Sequence, residues 1–513
     1  MAEPQASPFV PAGAAVYADI DLLTSAGLID TVAAAARPYT IREVQRLLAE
    51  ARRNAAGRSG NAEWARQLID RNVARYDGPA RPIDFAALWV AAMDSPYRAI
   101  PADLNGSIDA SVNPLAAWRG GRPIADGATT SIETMHSLSA GRHMALALSP
   151  RVTVERWRQG TTPSAADATV QTGNATFLFG NLVLEAGRDY VVFGPSPVAG
   201  LLLSGNAPPL DMIRVSTQRP ATLPWMLRHL GPASGMLFVA DLGATHQTHP
   251  HAKLVGYHVG IAPVANVELG LEVLDETGGR GAPPASFADR ALDAIPVIDA
   301  FRTGSDFQFS NKLAGLDARW RIPDWAGLEL YAEGAVDDLD IRRLRSSLLE
   351  DGGVIGGASI ACIAKCGWLA GRLEYRQTGI RYYTHTDFAS GIQARGIMLG
   401  DPLGPRGIGA YGTVQSDAVA AGRLALSGAY EVRSGNLYRS AGSGSRSADF
   451  HFVQIEHRPA ERRMRLLTAW TSRMQNDHAD LVISGGVERA TNFNFSGNSR
   501  ISGIAQVTYQ VWP

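Results

Sequence analysis

Lysine is almost missing from this chain: only Lys253, Lys312 and Lys365 occur among 48 basic residues, so positive charge is carried by arginine. The formal net charge is −1 and charged residues make up 19% of the sequence, below the usual quarter, so neither nucleic acid nor a strongly anionic surface is advertised as a partner. Long apolar runs are missing too. A spanning helix needs about 18 residues, and the longest run, Phe85 to Met93, has nine. Helical membrane insertion is thereby excluded, and a membrane-spanning reading requires a closed β-barrel, because only a barrel or a helix pairs every backbone group in lipid. Cysteine is limited to Cys362 and Cys366. The Walker lysine, the Gly-x-Ser-x-Gly elbow and His-Glu-x-x-His are all absent, which removes the usual phosphoryl, acyl and zinc-protease templates. No cofactor is called for. Met1 to Gly13 lacks a charged start followed by an apolar core. Met1 reads as a start codon placed before a mature Ala2-Glu3-Pro4 terminus, with the export signal removed.

What the chain has in abundance is two-residue alternation. Met144, Leu146, Leu148, Pro150, Val152 and Val154 interleave with Ala145, Ala147, Ser149, Arg151, Thr153 and Glu155. One face of such a strand is apolar and the other polar. At about 3.3 Å per residue this stretch reaches about 40 Å, or about 30 Å of height when tilted by about 40°, the thickness of a bilayer core. Val267, Leu269, Leu271 and Val273 alternate with Glu268, Gly270 and Glu272, and the pattern recurs around Leu328 to Val336 and Leu424 to Val432. Alternation alone fits a β-sandwich equally well. The connectors favour a barrel: residues 262–266, 322–326 and 458–461 are short, whereas residues 275–310, 377–414 and 433–448 are long and rich in Gly, Ser and aromatics. Short periplasmic turns and long external loops are the asymmetry of an outer-membrane barrel. About sixteen to eighteen strand candidates can be marked, enough to leave an aqueous interior.

Residues 1–80 have a different period. Thr40 and Glu43 have capping-box spacing, followed by Ile41, Val44, Leu47, Leu48 and Ala51 at helical intervals; Trp64, Leu68, Ile69 and Val73 form a second stripe, and Asp19 to Ala26 a short third helix. Asp77-Gly78-Pro79-Ala80-Arg81-Pro82 breaks the pattern. The expected organisation is a periplasmic helical domain over 1–80 and a mainly β, transmembrane antiparallel barrel over 81–513.

Phe193-Gly194-Pro195-Ser196-Pro197 through Leu201-Leu202-Leu203-Ser204-Gly205-Asn206-Ala207-Pro208-Pro209 resembles the signature of the Wzi-type capsule assembly proteins. Pro224-Trp225-Met226-Leu227 with Leu230-Gly231-Pro232, then Val267-Glu268-Leu269-Gly270, then Asn311 through Trp320, and the early Tyr17-Ala18-Asp19-Ile20-Asp21-Leu22-Leu23, look like further landmarks in the same order. The resemblance covers most of the chain. It implies an outer-membrane barrel of about eighteen strands with a small periplasmic helical domain, acting as a lectin-like organiser of capsular or extracellular polysaccharide, with no catalytic chemistry. Phe193 stands where Trp is usual, and Ser310-Asn311-Lys312 replaces Gly-Asn-Gln, departures that bear on the glycan more than on the fold. The expected partners are surface polysaccharide and outer-membrane lipid, and the expected state is a monomer. The rival readings are a porin-like channel for polar solutes or oligosaccharides and a secreted β-rich glycosidase.

Candidate sites each have a plainer reading beside them. Gly407-Ile408-Gly409-Ala410-Tyr411-Gly412 fits a dinucleotide fingerprint, but the mechanism needs a strand before it and a helix after it, so it reads as a flexible loop. His246, His249 and His251 lack a fourth ligand at metal spacing, and Asp337, Asp338 and Asp340 read as a solvated acidic loop, so no metal is expected. Glu329 and Glu333 could serve glycoside hydrolysis. On one strand they instead share a side with Arg319, and with Asp317, Glu268 and Glu272 they read as a lumen network. The loop carrying Tyr382, Tyr383, His385, Asp387, Arg395, Asp401 and Arg406, together with Tyr438 and Arg439, combines ring faces with forked donors and is the expected external polysaccharide site. A tight turn at residues 363–365 would let Cys362 and Cys366 form a disulfide in the oxidising envelope, whereas on one strand their Cα atoms would be about 13 Å apart. Thiol titration of protein from oxidised cells is expected to find neither cysteine reactive; two free thiols would defeat that pairing.

Overall fold

The computed structural model describes residues 6–11, 13–30, 32–56, 63–76, 83–93, 98–99, 102–103, 106–107, 111–112, 127–157, 165–293, 309–337, 344–363, 369–383, 385, 388, 390–417, 422–442, 451–474 and 478–512. The alternating stretches form a closed antiparallel barrel of 18 strands. In chain order these are Phe85–Met93, Gly127–Ala140, Met144–Trp157, Ala165–Phe179, Leu182–Asp189, Leu210–Thr217, Pro232–Asp241, Lys253–Val264, Val267–Thr277, Ser310–Ile322, Leu328–Asp337, Gly352–Ile360, Leu369–Thr378, Gly407–Ser416, Gly422–Arg433, Glu461–Met474, Ala479–Thr491 and Arg500–Val511. The first strand closes the ring by pairing with the second, Phe85 opposite Met135, and with the last, Ala86 opposite Val511. Closure leaves no unpaired edge.

The alternation becomes an inside-out burial pattern. Leu148, Val152 and Val154 are exposed, while Ala145, Ser149, Arg151 and Thr153 are buried. The facing survives a register shift between Ser149 and Pro150. On Val267–Thr277, Leu269 and Leu271 are exposed while Glu268 and Glu272 are buried. Val273 was expected outward with them but is buried, opposite Tyr257 and Ala314. Ile132, Ile213, Val259, Leu316, Leu373 and Leu466 continue the apolar outer surface around the ring. A soluble protein would have no reason to turn these side chains outward on one barrel and its carboxylates inward. A bilayer supplies that reason.

Turns at one end are short, at residues 141–143, 180–181, 265–266 and 323–327; those at the other run through residues 190–209, 242–252, 278–309, 379–406 and 434–460. Trp320, Trp325 and Trp225 are exposed near the short-turn end, as in an interfacial aromatic girdle. In outer-membrane barrels short turns usually mark the periplasmic end. Two expectations are corrected here. Residues 458–461 belong to the long-loop end, where they return a hairpin, Leu437–Ala441 paired with His451–Glu456, to the barrel. Gly407 to Gly412 is barrel strand and not loop, because its outward and inward positions complete the ladder between Leu369–Thr378 and Gly422–Arg433.

Three helices, α1 (Val16–Ser25), α2 (Ile41–Ala56) and α3 (Glu63–Tyr76), form the N-terminal part. The Thr40 hydroxyl accepts the Glu43 N–H at 3.2 Å, as the capping-box spacing requires. Val44, Leu47, Leu48 and Ala51 of α2 and Ile69 of α3 pack with Tyr17, Ile20 and Leu23 of α1 in a small core. The expected boundary at 80/81 lies in residues 77–82, outside the described residues. This part sits at the short-turn end: the Ala6 N–H donates to Arg142 O at 2.8 Å, and Arg75 pairs with Asp480 at 2.7 Å.

Leu269→Arg is expected to cost roughly 2 to 4 kcal/mol if Leu269 lies near the bilayer midplane, whereas Leu269→Ala should still insert. Unfolding midpoints in lipid vesicles check this; an unchanged midpoint for the arginine variant would reject the facing.

Candidate functional site

A wall of 18 strands cannot fill its own lumen with side chains. The chain fills it with two inserted segments. Residues 190–209 descend from the long-loop end until Val192–Phe193 pairs antiparallel with Ala36–Arg37 of the N-terminal part, and the Gly194 N–H donates to Ala35 O at 2.9 Å. Segments entering from opposite ends therefore meet inside the barrel. Glycine is demanded along the way: a Cβ on Gly194, at φ +96°, would lie 2.4 Å from the Glu333 carboxylate, and one on Gly200 would lie 1.9 Å from Phe193 O. Residues 379–406 are the second insert. Tyr382, Tyr383 and Leu399 join Phe193, Leu201, Leu202 and Leu203 of the first insert against Phe238, Leu254, Leu274 and Leu313 of the wall.

The side chains expected to line the lumen lie buried on the wall, and several of them contact the inserted segments. The Glu268 carboxylate accepts the Ala34 N–H at 2.9 Å, and Glu333 accepts the Leu201 N–H at 2.6 Å. Glu329 accepts the Ser25 hydroxyl at 3.3 Å and lies 3.6 Å from Arg319, which itself donates to Pro195 O at 2.7 Å. Asp317 meets the His258 ring at 2.9 Å, and Glu272 is fully buried on the same inner face. Glu329 and Glu333 thus share a face as expected, but only Glu329 pairs with Arg319; Glu333 holds backbone.

The expected external loop is corrected. Tyr382 and Tyr383 are 0% exposed, and His385, Asp401 and Arg406 are buried as well. The Tyr383 hydroxyl bonds Leu201 O and accepts the Asp401 N–H, and Asp401 pairs with Arg376 at 2.8 Å. These rings are plug core and offer no stacking face to solvent, because tyrosine buries as readily as it binds sugar when a partner awaits its hydroxyl. Asp387 lies outside the described residues. Arg395 remains exposed, Arg439 is exposed on the hairpin, and Tyr438 is half-buried with the Arg406 guanidinium 6.0 Å from its ring centre. Cys362 follows the strand Gly352–Ile360, and its N–H donates to Ala326 O at 3.0 Å. Cys366 lies outside the described residues, and the connection from Ile360 to Leu369 is longer than the tight turn that the disulfide expectation assumed.

His246 meets Glu276 at 3.0 Å and accepts the His249 N–H at 3.2 Å, His249 packs edge-on against Phe388, and His251 turns to Asp241 at 3.1 Å. Among the described residues no three His, Cys, Asp or Glu side chains converge to hold a metal. Of the acidic trio, Asp337 is buried at the end of its strand, while Asp338 and Asp340 lie outside the described residues.

An inner cluster near the long-loop end went unread in the sequence. Arg433 and Arg463 pair with Glu461 at 2.8 and 2.9 Å, Arg465 pairs with Glu488 at 2.9 Å, and Tyr411 donates to Glu431 at 2.9 Å. The loop after Thr491 caps it, with the Asn494 N–H on Glu461 and the rings of Phe493 and Phe495 over Arg463 and Arg433. The signal was available: in Glu461-Arg462-Arg463-Met464-Arg465, strand parity turns Glu461, Arg463 and Arg465 to one side.

The helices are locked to the wall through Asp19, which bonds Arg71, takes Asn72 at 2.8 Å and pairs with Arg423 of the strand Gly422–Arg433 at 2.9 Å. Burial pushes this carboxyl up, but the two guanidiniums and the amide outweigh it and hold Asp19 well below the usual carboxylate range. A depressed folded-state value means that the stabilisation is complete above the unfolded value of about 3.9 and is lost as pH falls toward the folded one. Docking of the helices is therefore expected to be constant from about pH 5 to 8 and to weaken below about pH 4. Asp19→Ala should loosen it at neutral pH by about 3 to 5 kcal/mol, because the buried Arg71 guanidinium loses its carboxylate and Arg423 keeps only Asp417. Protease sensitivity of the helices in an intact barrel measures both; equal resistance in the variant would refute the lock.

Comparison with known proteins gives three findings. The model of the family described as capsule assembly protein Wzi matches residues 109–500. Among solved structures, Wzi of Escherichia coli, described as an outer membrane protein involved in group 1 capsule assembly and a carbohydrate-binding β-barrel, superposes with a TM-score of 0.70 over 99% of this chain and 100% of that one, at 18% identity. That likeness is one of fold. An uncharacterised 55.8 kDa protein in the cps region of Klebsiella pneumoniae is 28% identical over 151 residues, a match that spans only 29% of either chain.

Proposed function

The chain belongs to the Wzi family of capsule assembly proteins, and from that premise we propose that it binds capsular or extracellular polysaccharide at the outer end of its barrel without turning it over. The barrel lies in the outer membrane. The observation that carries binding over conduction is the filled lumen: Val192–Phe193 and Ala36–Arg37 join inside it, and Tyr382 and Tyr383 close over Leu201. A channel needs a continuous wet path, which such a core interrupts. Among the described residues Glu268, Glu329 and Glu333 are engaged in holding the inserts, which favours binding over glycoside hydrolysis. The closed ladder offers no strand edge for pairing with a second copy.

The proposed contact surface is the outer hairpin, Leu437–Ala441 with His451–Glu456. One face of it presents Arg439, His451 and the exposed apolar Val453 and Ile455, while Tyr438 turns to the other face, toward Arg406. Arg395 of the second insert is a further exposed guanidinium. Forked donors of this kind suit the carboxylates of acidic sugars. The buried tyrosines of the 379–406 segment contribute by supporting this end of the barrel and do not touch polymer.

Excision of residues 437–456 tests the proposal, since the Arg458 N–H already donates to Asn436 Oδ1 at 3.0 Å and the cut ends are adjacent. The shortened protein should remain heat-modifiable on gels while cell-surface polymer is lost. Binding of an acidic polysaccharide to the purified protein should also weaken as salt shortens the Debye length to about 3 Å at 1 M. Retained polymer in the excised strain, together with steady ion conductance of the purified protein, would replace this reading with that of a channel.

A further inference from the structure

Two arginines on the outside of the barrel have no use in the network inside it. The strand Glu461–Met474 turns Glu461, Arg463 and Arg465 inward and presents Arg462, Met464 and Leu466 outward. On the next strand Glu488 points inward while Val487 and Arg489 point outward. Arg489 stands opposite Met464 on one side and Ile501 on the other, which are 62% and 71% exposed. Arg462 stands opposite Val432 and Thr491. The two arginines are therefore diagonal neighbours on one face, with Cα atoms about 7 to 8 Å apart.

Their position is specific in depth as well. Arg462 follows the first residue of its strand, and Arg489 comes two residues before the end of its own, both at the long-loop end. Met464, Leu466, Val487 and Ile501 below and beside them belong to the apolar outer surface. The nearest carboxylates, Glu431, Glu461 and Glu488, are on the opposite face and are already taken by Arg433, Arg463 and Arg465. Among the described residues neither Arg462 nor Arg489 forms an ion pair. A guanidinium at the boundary of a lipid-facing surface can reach the headgroup level at little cost, and its planar fork matches phosphate oxygens there in a bidentate manner.

We propose that Arg462 and Arg489 form a binding site for the phosphate of a phosphorylated glycolipid in the extracellular leaflet. Charge complementarity supplies the anion, and continuity with the apolar surface means that the anion arrives on an acyl-bearing molecule. Sugars attached to that phosphate would meet Asn494, Asn498 and Ser499, which are exposed in the loop joining the two strands beside the site. The site lies on the wall, outside the hairpin proposed for polysaccharide, and does not depend on that reading.

The test uses the full chain folded in detergent micelles, with native mass spectrometry and a titration against three probes: bisphosphorylated lipid A, the same glycolipid stripped of its phosphates, and inorganic phosphate. The wild type should retain the phosphorylated glycolipid and lose the stripped one. Each of Arg462→Ala and Arg489→Ala should weaken retention on the order of tenfold, with lysine at both positions intermediate, while Arg66→Ala on the exposed side of α3 should bind as the wild type does. Equal retention of the stripped glycolipid by the wild type would overturn the proposal without reference to any variant. So would unchanged retention by a heat-modifiable Arg462→Ala/Arg489→Ala double variant. Displacement of the lipid by millimolar inorganic phosphate would assign the site to a free anion and overturn its assignment to a membrane component.

Discussion

Every backbone N–H and C=O that meets hydrocarbon must find its partner within the protein, and this requirement organises the whole molecule. It forces the chain into strands, forces the strands to close, and so forces Phe85–Met93 to pair with Arg500–Val511 across 400 residues and more of intervening sequence. Closure at 18 strands creates an interior wider than side chains can span. The two inserts, the N-terminal helices and the buried ion pairs are consequences of that width.

The interior is a second problem with a different solution. The width of the ring leaves room, and the chain fills it with backbone: the Leu201 N–H reaches Glu333 and the Ala34 N–H reaches Glu268 because wall carboxylates replace the strand partners that an inserted loop lacks. Charges paired in this setting contribute little net stability but are costly to break singly. Their value lies in placement. Asp19 binds Arg71 of the helices and Arg423 of the wall, and Asp401 binds Arg376, so the helices and the second insert each have one preferred seat.

Much of the wall could be read from residue order, and much of the plug could not. Leu269 and Leu271 against Glu268 and Glu272 is a local signal of period two, and Thr40 with Glu43 is a local signal of a helix start. Tyr382, Tyr383 and Asp401 carry no comparable signal. An aromatic and charged stretch between strands looks the same whether it stands in solvent or folds back into a lumen, and only the vacancy inside a wide ring decides between them. Gly407 to Gly412 misled for a related reason: its glycines suggest a loop, yet the ladder on either side supplies the strand hydrogen bonds that glycine by itself does not favour. The cluster of Glu461, Arg463 and Glu488 was partly legible by parity, but its partners lie on neighbouring strands whose register no short window contains.

By itself the sequence determined the class of structure: a short helical part, long alternating strands, an apolar face without a spanning helix, and turns that are short at one end and long at the other. These follow from periodicity, which is a property of neighbours along the chain. Tertiary structure alone decided which loops enter the barrel, that Val192–Phe193 meets Ala36–Arg37, and that Arg463 finds Glu488 of the neighbouring strand. The reason is physical. Those outcomes depend on ring closure and on register between distant strands, and both are set by the packing of the whole barrel at once.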